Sequence, residues 1–193
     1  MDINTLNIRD CFKSMSLSEL QLFYKEKAGD EIVLFLNPDM DKNIGTILRT
    51  ASASFFSKLV VLGRKKTNLV TAVGMNHYMP IEYVPASMGT HNEFLDILKI
   101  ESYLAELSKT HTVVLCEISP NSVPLRKMNT ALSERMKPPA FLLGNEKNGI
   151  PAELINSDRF EKLIVEIPSS GFVRSFNVSN TFAMIYWEYN RDR

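Results

Sequence analysis

The sequence predicts an α/β domain built on a mostly parallel sheet flanked by helices, and three features carry that expectation. Short apolar runs of strand length recur along the chain, and segments with helical spacing of apolar residues fall between them. Several of the runs are apolar at every position, as strands covered on both faces must be. A length of 193 residues suits one such domain, and folding a chain of this size buries about 70% of its unfolded surface.

Residues 1–29 read as an N-terminal helical appendage and residues 30–193 as the main domain. Ser16-Leu-Ser-Glu19 has the spacing of a capping box, and Leu17, Leu20, Leu22, Phe23 and Tyr24 give an amphipathic turn or two before Gly29. This is either an RNA-binding or dimer arm or, more simply, a helix packed on the domain. Residues 32–36 form a strand. Residues 43–56 carry Ile44, Ile47, Leu48 and Ala51 at helical spacing. Strands follow at 58–62 and, after Pro80, at 81–84, with Arg64-Lys65-Lys66 as a basic loop between them. Residues 92–109 place Phe94, Leu95, Ile97, Leu98, Tyr103, Leu104 and Leu107 on one helical face. Three further strands are expected at 112–116, 140–143 and 163–167, and a last helix at 175–189. Its run Phe182-Ala-Met-Ile-Tyr-Trp187 cannot put six apolar side chains on one side. Something covers the second face: a homodimer partner is expected through this C-terminal helix, with burial inside one chain as the alternative.

The 22 basic and 22 acidic residues cancel, which excludes a polycationic grip on nucleic acid or on an anionic membrane and leaves only local basic patches. With 45% hydrophobic and 23% charged residues, the chain is neither disordered nor fibrous. Cys11 and Cys116 are the two cysteines, too few for a disulfide scaffold. No apolar stretch approaches ~18 residues and no secretory signal is visible, so a cytoplasmic or nuclear protein is expected, with no membrane partner.

Asparagine and glycine gather where the predicted strands end, the edge at which open parallel sheets bind ligands. The first cluster runs from Asn37 through Asn43-Ile-Gly45 to Arg49-Thr50-Ala51, with Asn43 in position to cap the helix. The second is Leu143-Gly144-Asn145-Glu146-Lys147-Asn148-Gly149-Ile150-Pro151, in which two glycines allow a tight turn and Pro151 opens a helix. The third, from Ile167-Pro168 through Gly171, Arg174, Ser175, Phe176 and Asn177 to Ser179, is dense in hydroxyls and amides at a helix start; a cap at Ser175 would alone explain part of it. Familiar alternatives fail. The spacing of Gly144 and Gly149 lacks the Lys-Ser/Thr of a phosphate loop, and Gly-x-Gly-x-x-Gly is absent. His77, His91 and His111 are scattered without metal-ligand spacing, so no metal is assigned. No nucleophile elbow accompanies Ser175.

Taken in order, Asn-x-Gly-x-x-x-Arg-Thr-Ala, Gly-Asn-Glu-x-x-Gly-Ile and Ile-Pro-x-x-Gly-x-Val-x-Ser-x-Asn-Val-Ser resemble motifs 1, 2 and 3 of the SpoU or TrmH-type RNA 2′-O-ribose methyltransferases, a branch of the SPOUT class. The resemblance covers roughly residues 30–190. It implies a C-terminal trefoil knot, an exception to unknotted topology, a homodimer, and S-adenosylmethionine as cofactor. Cofactor contacts carry over to Leu115, Cys116, Glu117, Leu143, Gly144, Ile167, Ser175 and Phe176. Glycine at 144 and 171 is expected to allow close backbone approach there. Arg49, Glu146, Ser175 and Asn177 are implied to surround the target nucleotide, with Asn43 shaping the environment of Arg49. The family's arginine is regarded as a general base. A guanidinium stays protonated in proteins, so forked binding to an RNA phosphate is the better role for Arg49. Ser175 and Asn177 would then position the substrate.

Lys147, which follows the motif 2 glutamate, is similar to the tRNA-guanosine branch, as is the compact length, from which no separate N-terminal RNA-binding domain is expected. The expected substrate is therefore RNA, with tRNA favoured over rRNA. Arg64, Lys65, Lys66 and Arg174 are the main candidate phosphate contacts, joined by Arg126, Lys127, Arg191 and Arg193. Net neutrality points to modest RNA affinity or an auxiliary protein. The alternatives are an rRNA 2′-O-methyltransferase, a non-catalytic RNA-binding dimer of this fold, and a relative that methylates a base nitrogen.

Overall fold

The structure, a computed structural model, describes residues 8–64, 66–88, 94–172 and 174–191. In chain order the elements are α1 (Leu17–Lys27), β1 (Ile32–Leu36), α2 (Asp41–Ser52), β2 (Lys58–Gly63), β3 (Ile81–Pro85), β4 (Ser87–Met88), β5 (Phe94–Leu95) and α3 (Ile97–Leu107). They continue with β6 (Thr112–Cys116), β7 (Val123–Pro124), α4 (Met128–Ser133), β8 (Pro139–Leu143), α5 (Ala152–Ile155), β9 (Lys162–Glu166) and α6 (Val178–Asn190). Seven strands form one sheet in the order β3-β2-β1-β8-β6-β9-β7, and every neighbouring pair is parallel. The expected mostly parallel sheet flanked by helices is what forms. β4 and β5 make a separate antiparallel pair that the sequence did not announce.

The continuous apolar runs have a simple cause. β1 and β8 are buried at all five positions because helices cover both faces of the sheet. Alternate residues serve opposite layers. Val33, Phe35, Leu59, Val61, Val114, Phe141 and Leu143 face α2, α4 and α6, whereas Leu34, Leu36, Val60, Leu62, Val113, Leu115 and Leu142 face α3 and α5. On the α6 side the ring of Phe56 stacks on Phe141 at 6.1 Å and meets Phe182 edge-on at 5.9 Å, while Tyr189 lies 5.4 Å from Phe141. The Tyr189 hydroxyl donates to Glu31 Oε1 at 2.6 Å, tying the last helix to the approach to the first strand.

The capping box forms as the sequence indicates: Ser16 N donates to Glu19 Oε2 at 2.7 Å and Glu19 N to Ser16 Oγ at 3.3 Å. Only Leu20 and Tyr24 of α1 are buried, and Tyr24, whose hydroxyl donates to the Phe56 carbonyl at 2.7 Å, belongs to the same core as α2 and α6. α1 is thus a helix packed on the domain, and Leu22 remains exposed.

Several expected boundaries move. The segment expected at 43–56 becomes Asp41–Ser52, so Asn43 is not a cap but a buried residue of the first turn. α3 begins at Ile97 because the Asp96 side chain accepts from Lys99 N at 3.1 Å; of the earlier part of the expected helix, residues 92 and 93 lie outside the described residues and Phe94 and Leu95 pair in β5 instead. α6 begins at Val178, capped by Asn177 rather than by Ser175. Its buried positions, Val178, Ser179, Phe182, Ile185 and Tyr189, fall on one face, so the aromatic run is partly accounted for within one chain, and Trp187 and Ala183 stay exposed. α4 and β7 carry too few apolar positions to register as periodic segments. Among the described residues no helix is long and apolar enough to cross a membrane.

Two outcomes test this packing. Phe141→Ala should cost about 3–5 kcal/mol in urea unfolding with little change in slope, because Phe141 is fully buried between Phe56 and Tyr189. The Glu19 carboxyl is held below its ordinary value of 4.5 by hydrogen bonds from the Ser16 backbone and side chain. Its contribution to the start of α1 is therefore full above that value and lost as pH falls through the lowered one, which amide exchange at Glu19 and Leu20 would register as local fraying.

Candidate functional site

The carboxyl ends of β1, β8, β6 and β9 lie side by side, which brings the loops after them together. Asn37 leaves β1 with φ of 37°, and its carbonyl accepts from Asn145 Nδ2 at 2.6 Å. Asn145, buried after β8, also accepts from Lys147 N at 2.9 Å and Asn148 N at 3.0 Å, closing a tight turn that its backbone seals against Gly149. A Cβ on Gly144 would stand 2.5 Å from the Gly149 carbonyl carbon, so only glycine permits this crossing. Gly149 has φ of 65°, and a Cβ there would meet Glu117 Oε2 at 2.5 Å. That same oxygen accepts from Ile150 N at 2.9 Å, fixing the loop after β6 to the loop after β8.

Glu146 provides the central contact. Its Oε2 accepts from Asp39 N at 2.7 Å, and its Oε1 accepts from Met40 N at 3.1 Å and Asn43 Nδ2 at 2.8 Å. Met40, the residue before α2, makes no side-chain cap, so the Glu146 carboxylate supplies negative charge at that helix start from another loop. Asn43 Oδ1 in turn accepts from Asn177 Nδ2 at 3.3 Å, and Asn177 Oδ1 accepts from Ser179 N at 2.9 Å and Ser179 Oγ at 2.6 Å. One continuous hydrogen-bond chain therefore joins all three sequence clusters. Beside it opens a cleft of about 730 Å³, whose walls include Cys116, Glu117, Leu143, Gly144, Glu146, Ile150, Ser175 and Phe176. A side lobe of about 70 Å³ reaches Ile167 and Arg174.

Most of the expected cofactor residues thus line one cleft. Leu115 does not: it is fully buried in the core facing α3 and α5, because it is the strand residue that points to the opposite face from Cys116 and its neighbours. The Cys116 thiol is pushed far above its ordinary value by desolvation and by the nearby Glu117 charge, so it lines the cleft as a neutral, weakly polar group. Gly171 also departs from expectation. A Cβ there would meet nothing within 4 Å, so close packing within this chain does not require glycine.

Asn43, Glu146 and Asn177 spend their polar atoms on one another and on backbone, whereas Ser175 is exposed at the cleft and makes no hydrogen bond among the described residues. Arg49 stands apart from this network, exposed and without an ion pair among the described residues, in a groove between α1 and α2. Arg64, expected to touch phosphate, is engaged inside the chain: its Nη1 donates to Asp41 Oδ1 at 2.8 Å and to the Pro38 carbonyl at 2.9 Å. Asp41 cannot be spared, since its other oxygen accepts from Asn68 N at 2.8 Å. Lys66 and Arg174 are exposed, Lys147 pairs with Asp39 at 3.3 Å, and Lys65 and Arg193 lie outside the described residues. Sequence reasoning quoted Asn145 without a role; its signal was an Asn followed by glycine four residues later, the pattern of a side-chain-closed turn.

A model of the SpoU rRNA Methylase family matches residues 30–187. The chain belongs to that family. It is 48% identical over 53 residues to the mouse (Mus musculus) tRNA (guanosine(18)-2'-O)-methyltransferase TARBP1, a stretch that is 28% of this chain and 3% of that protein. It is 27% identical over 158 residues to the tRNA (guanosine(18)-2'-O)-methyltransferase of Escherichia coli (strain K12), covering 78% of this chain and 58% of the relative. The chain thus spans less than two thirds of the length of either relative. Among solved structures, the A. aeolicus TrmH/SpoU tRNA modifying enzyme superposes with a TM-score of 0.69 at 25% identity, over 92% of this chain and 82% of that one.

Glu146→Gln tests the clasp. It preserves shape but turns an amide nitrogen toward a donor, and hydrogen bonds to a charged group are worth about 1.5–3 kcal/mol. A loss of that order is expected in urea unfolding; unchanged stability would show that the carboxylate does not hold the loops.

Proposed function

We propose that the chain transfers a methyl group from S-adenosylmethionine to a ribose 2′-hydroxyl of structured RNA, with a tRNA guanosine as the favoured target and rRNA as the second. The observation that carries this reading is the hydrogen-bond chain Glu146–Asn43–Asn177, which joins the three motif loops beside a cleft at the carboxyl edge of the sheet. The two relatives named as tRNA guanosine methyltransferases and the A. aeolicus tRNA modifying enzyme support the preference for tRNA.

The cleft suits the proposed cofactor. It is roomy, apolar along Leu143, Ile150 and Phe176, and built where Gly144 lets two backbone segments cross. Glu117, whose oxygens already accept from Ile118 N and Ile150 N, keeps acceptor capacity for hydroxyl groups. S-adenosylmethionine, when bound, would supply a sulfonium methyl group: the S–CH3 bond would break as the bond to the 2′-oxygen forms, S-adenosylhomocysteine would leave, and the hydroxyl proton would pass to water at the open cleft. The chain's own contribution is alignment. Glu146 accepts three hydrogen bonds and is better suited to clasping loops than to taking a proton; Asn177 is similarly committed. Of the residues implied to surround the target nucleotide, Ser175 and Arg49 are free to meet RNA, Ser175 as a hydroxyl at the cleft and Arg49 as a guanidinium fork for phosphate.

Several companions belong to the same reading. A homodimer through α6 is supported by Trp187, 72% exposed beside the exposed Ala183 on a helix whose other face is buried. The trefoil knot goes with the placement of β9 between β6 and β7, both earlier in the chain. The 1–29 appendage, a cytoplasmic location and an auxiliary protein complete the proposal.

Arg49→Lys should leave S-adenosylmethionine binding unchanged in calorimetry while lowering methyl transfer about 100-fold, the scale of a misplaced reacting group. Near-wild-type turnover would remove Arg49 from the site. Ribose-methylation mapping by mass spectrometry in cells lacking the protein would identify the nucleotide, and an unchanged map would count against the whole activity.

A further inference from the structure

The second large cavity lies away from the cleft. It is a groove of about 830 Å³ between α2 and the segment that carries α1, and Arg49 lies on its wall. Its chemistry is uneven. Among the described residues, three cations, Arg9, Lys27 and Arg49, line it and no carboxylate does, although the chain as a whole has equal numbers of acidic and basic residues. All three cations are exposed, and none has an ion pair among the described residues. The walls between them are planar rings, with Phe12 and Phe23 at 5.1 Å and Phe23 and Phe55 at 6.1 Å, and Tyr78 further along. All four rings are half-buried, so each keeps surface for a ligand.

Phe55 shows that this arrangement is held against a backbone cost. Phe55 N donates to the Ser52 carbonyl and Phe56 N to the Ala51 carbonyl, the paired bonds that close a helix through a left-handed residue. That residue is usually glycine. Here it is a phenylalanine with φ of 56°, a conformation an aromatic side chain disfavours. Its ring is set 5.4 Å from Tyr24 and faces the groove, so the position gives up the residue the backbone prefers and gains an aromatic wall.

Flat apolar faces interleaved with unpaired cations fit a ligand that has planar rings joined by anions. Unpaired nucleotides are such a ligand, because their bases stack on aromatic side chains while Arg and Lys meet the phosphates between them. A duplex hides its base faces and does not fit. We infer that the α1–α2 groove is a subsite for unpaired nucleotides of the RNA substrate, in which Phe23 and Phe55 stack on bases and Arg9 and Lys27 hold the adjoining phosphates. It rests on the proposed RNA reaction for its link to Arg49, and it gives the N-terminal helix a share in choosing the substrate: RNA with an accessible loop or single-stranded stretch.

The experiment is fluorescence anisotropy with the full chain, a labelled unpaired RNA octamer and a blunt RNA duplex, using wild type, Phe55→Gly and Lys27→Glu. Phe55→Gly suits the left-handed backbone and keeps the helix end; Lys27→Glu lies on an exposed surface and covers the case in which the first variant unfolds. The octamer should bind more tightly than the duplex. Phe55→Gly should weaken octamer binding about tenfold, a typical loss for one stacking ring, and Lys27→Glu should also lower the salt slope by about one. S-adenosylmethionine affinity should stay at the wild-type value in both. Octamer binding unchanged in both variants would overturn the subsite even if the wild type methylates RNA. Groove-dependent octamer binding by a chain that never takes up S-adenosylmethionine would uphold the subsite and defeat the proposed activity. A change of molecular mass in light scattering for Lys27→Glu, with RNA affinity intact, would assign the groove to a second copy of the chain and overturn the inference.

Discussion

Three loops, the first more than a hundred residues ahead of the other two, stay together because Glu146 accepts from two backbone amides ahead of α2 and from Asn43, while Asn43 reaches Asn177 at the start of α6. Parallel topology delivers those loops to one edge of the sheet, but topology alone would leave several carbonyl, amide and carboxylate groups competing for water. The network converts that proximity into a fixed arrangement, since each polar atom in it already has a named partner. The consequence is a division of labour. Glu146, Asn43 and Asn177 are engaged in the framework, whereas Arg49 and Ser175 stay exposed.

Much of the framework was legible in the amino-acid order. β1, β6 and β8 were visible because strands covered on both faces must be apolar at nearly every position, and the capping box at Ser16 was visible because two side chains and two amides can satisfy one another only at that spacing. Less legible was which way a residue points when two roles share one residue type. Asn43 reads equally well as a cap or as a first-turn residue, and the choice depends on a glutamate 103 positions away. Leu115 and Cys116 are neighbours in a strand and therefore face opposite layers, so only the Cys116 side chain reaches the cleft, and a contact at Leu115 would have to come from its backbone. Arg64 sits in a basic loop that reads as a phosphate contact, yet Asp41 and the Pro38 carbonyl engage its guanidinium inside the chain.

Charge follows the same pattern. Net neutrality describes the total and conceals that carboxylates at the sheet edge, such as Glu146, Glu117 and Asp41, are committed to backbone amides or to Arg64. Cations in the α1–α2 groove, including Lys27 and Arg49, carry no such obligation among the described residues. A protein without a basic composition can therefore still present a locally cationic surface, provided its acidic side chains are used up internally.

The bond between Tyr189 and Glu31 also bears on how the domain is made. It spans 158 positions, and α6 supplies Phe182, Ile185 and Tyr189 to the layer that covers Phe35, Phe141 and Phe56. During synthesis the strands on that side have no complete cover until residues 178–190 clear the ribosome. A nascent chain halted earlier exposes an aromatic sheet face, the kind of apolar surface that aggregates or recruits chaperones.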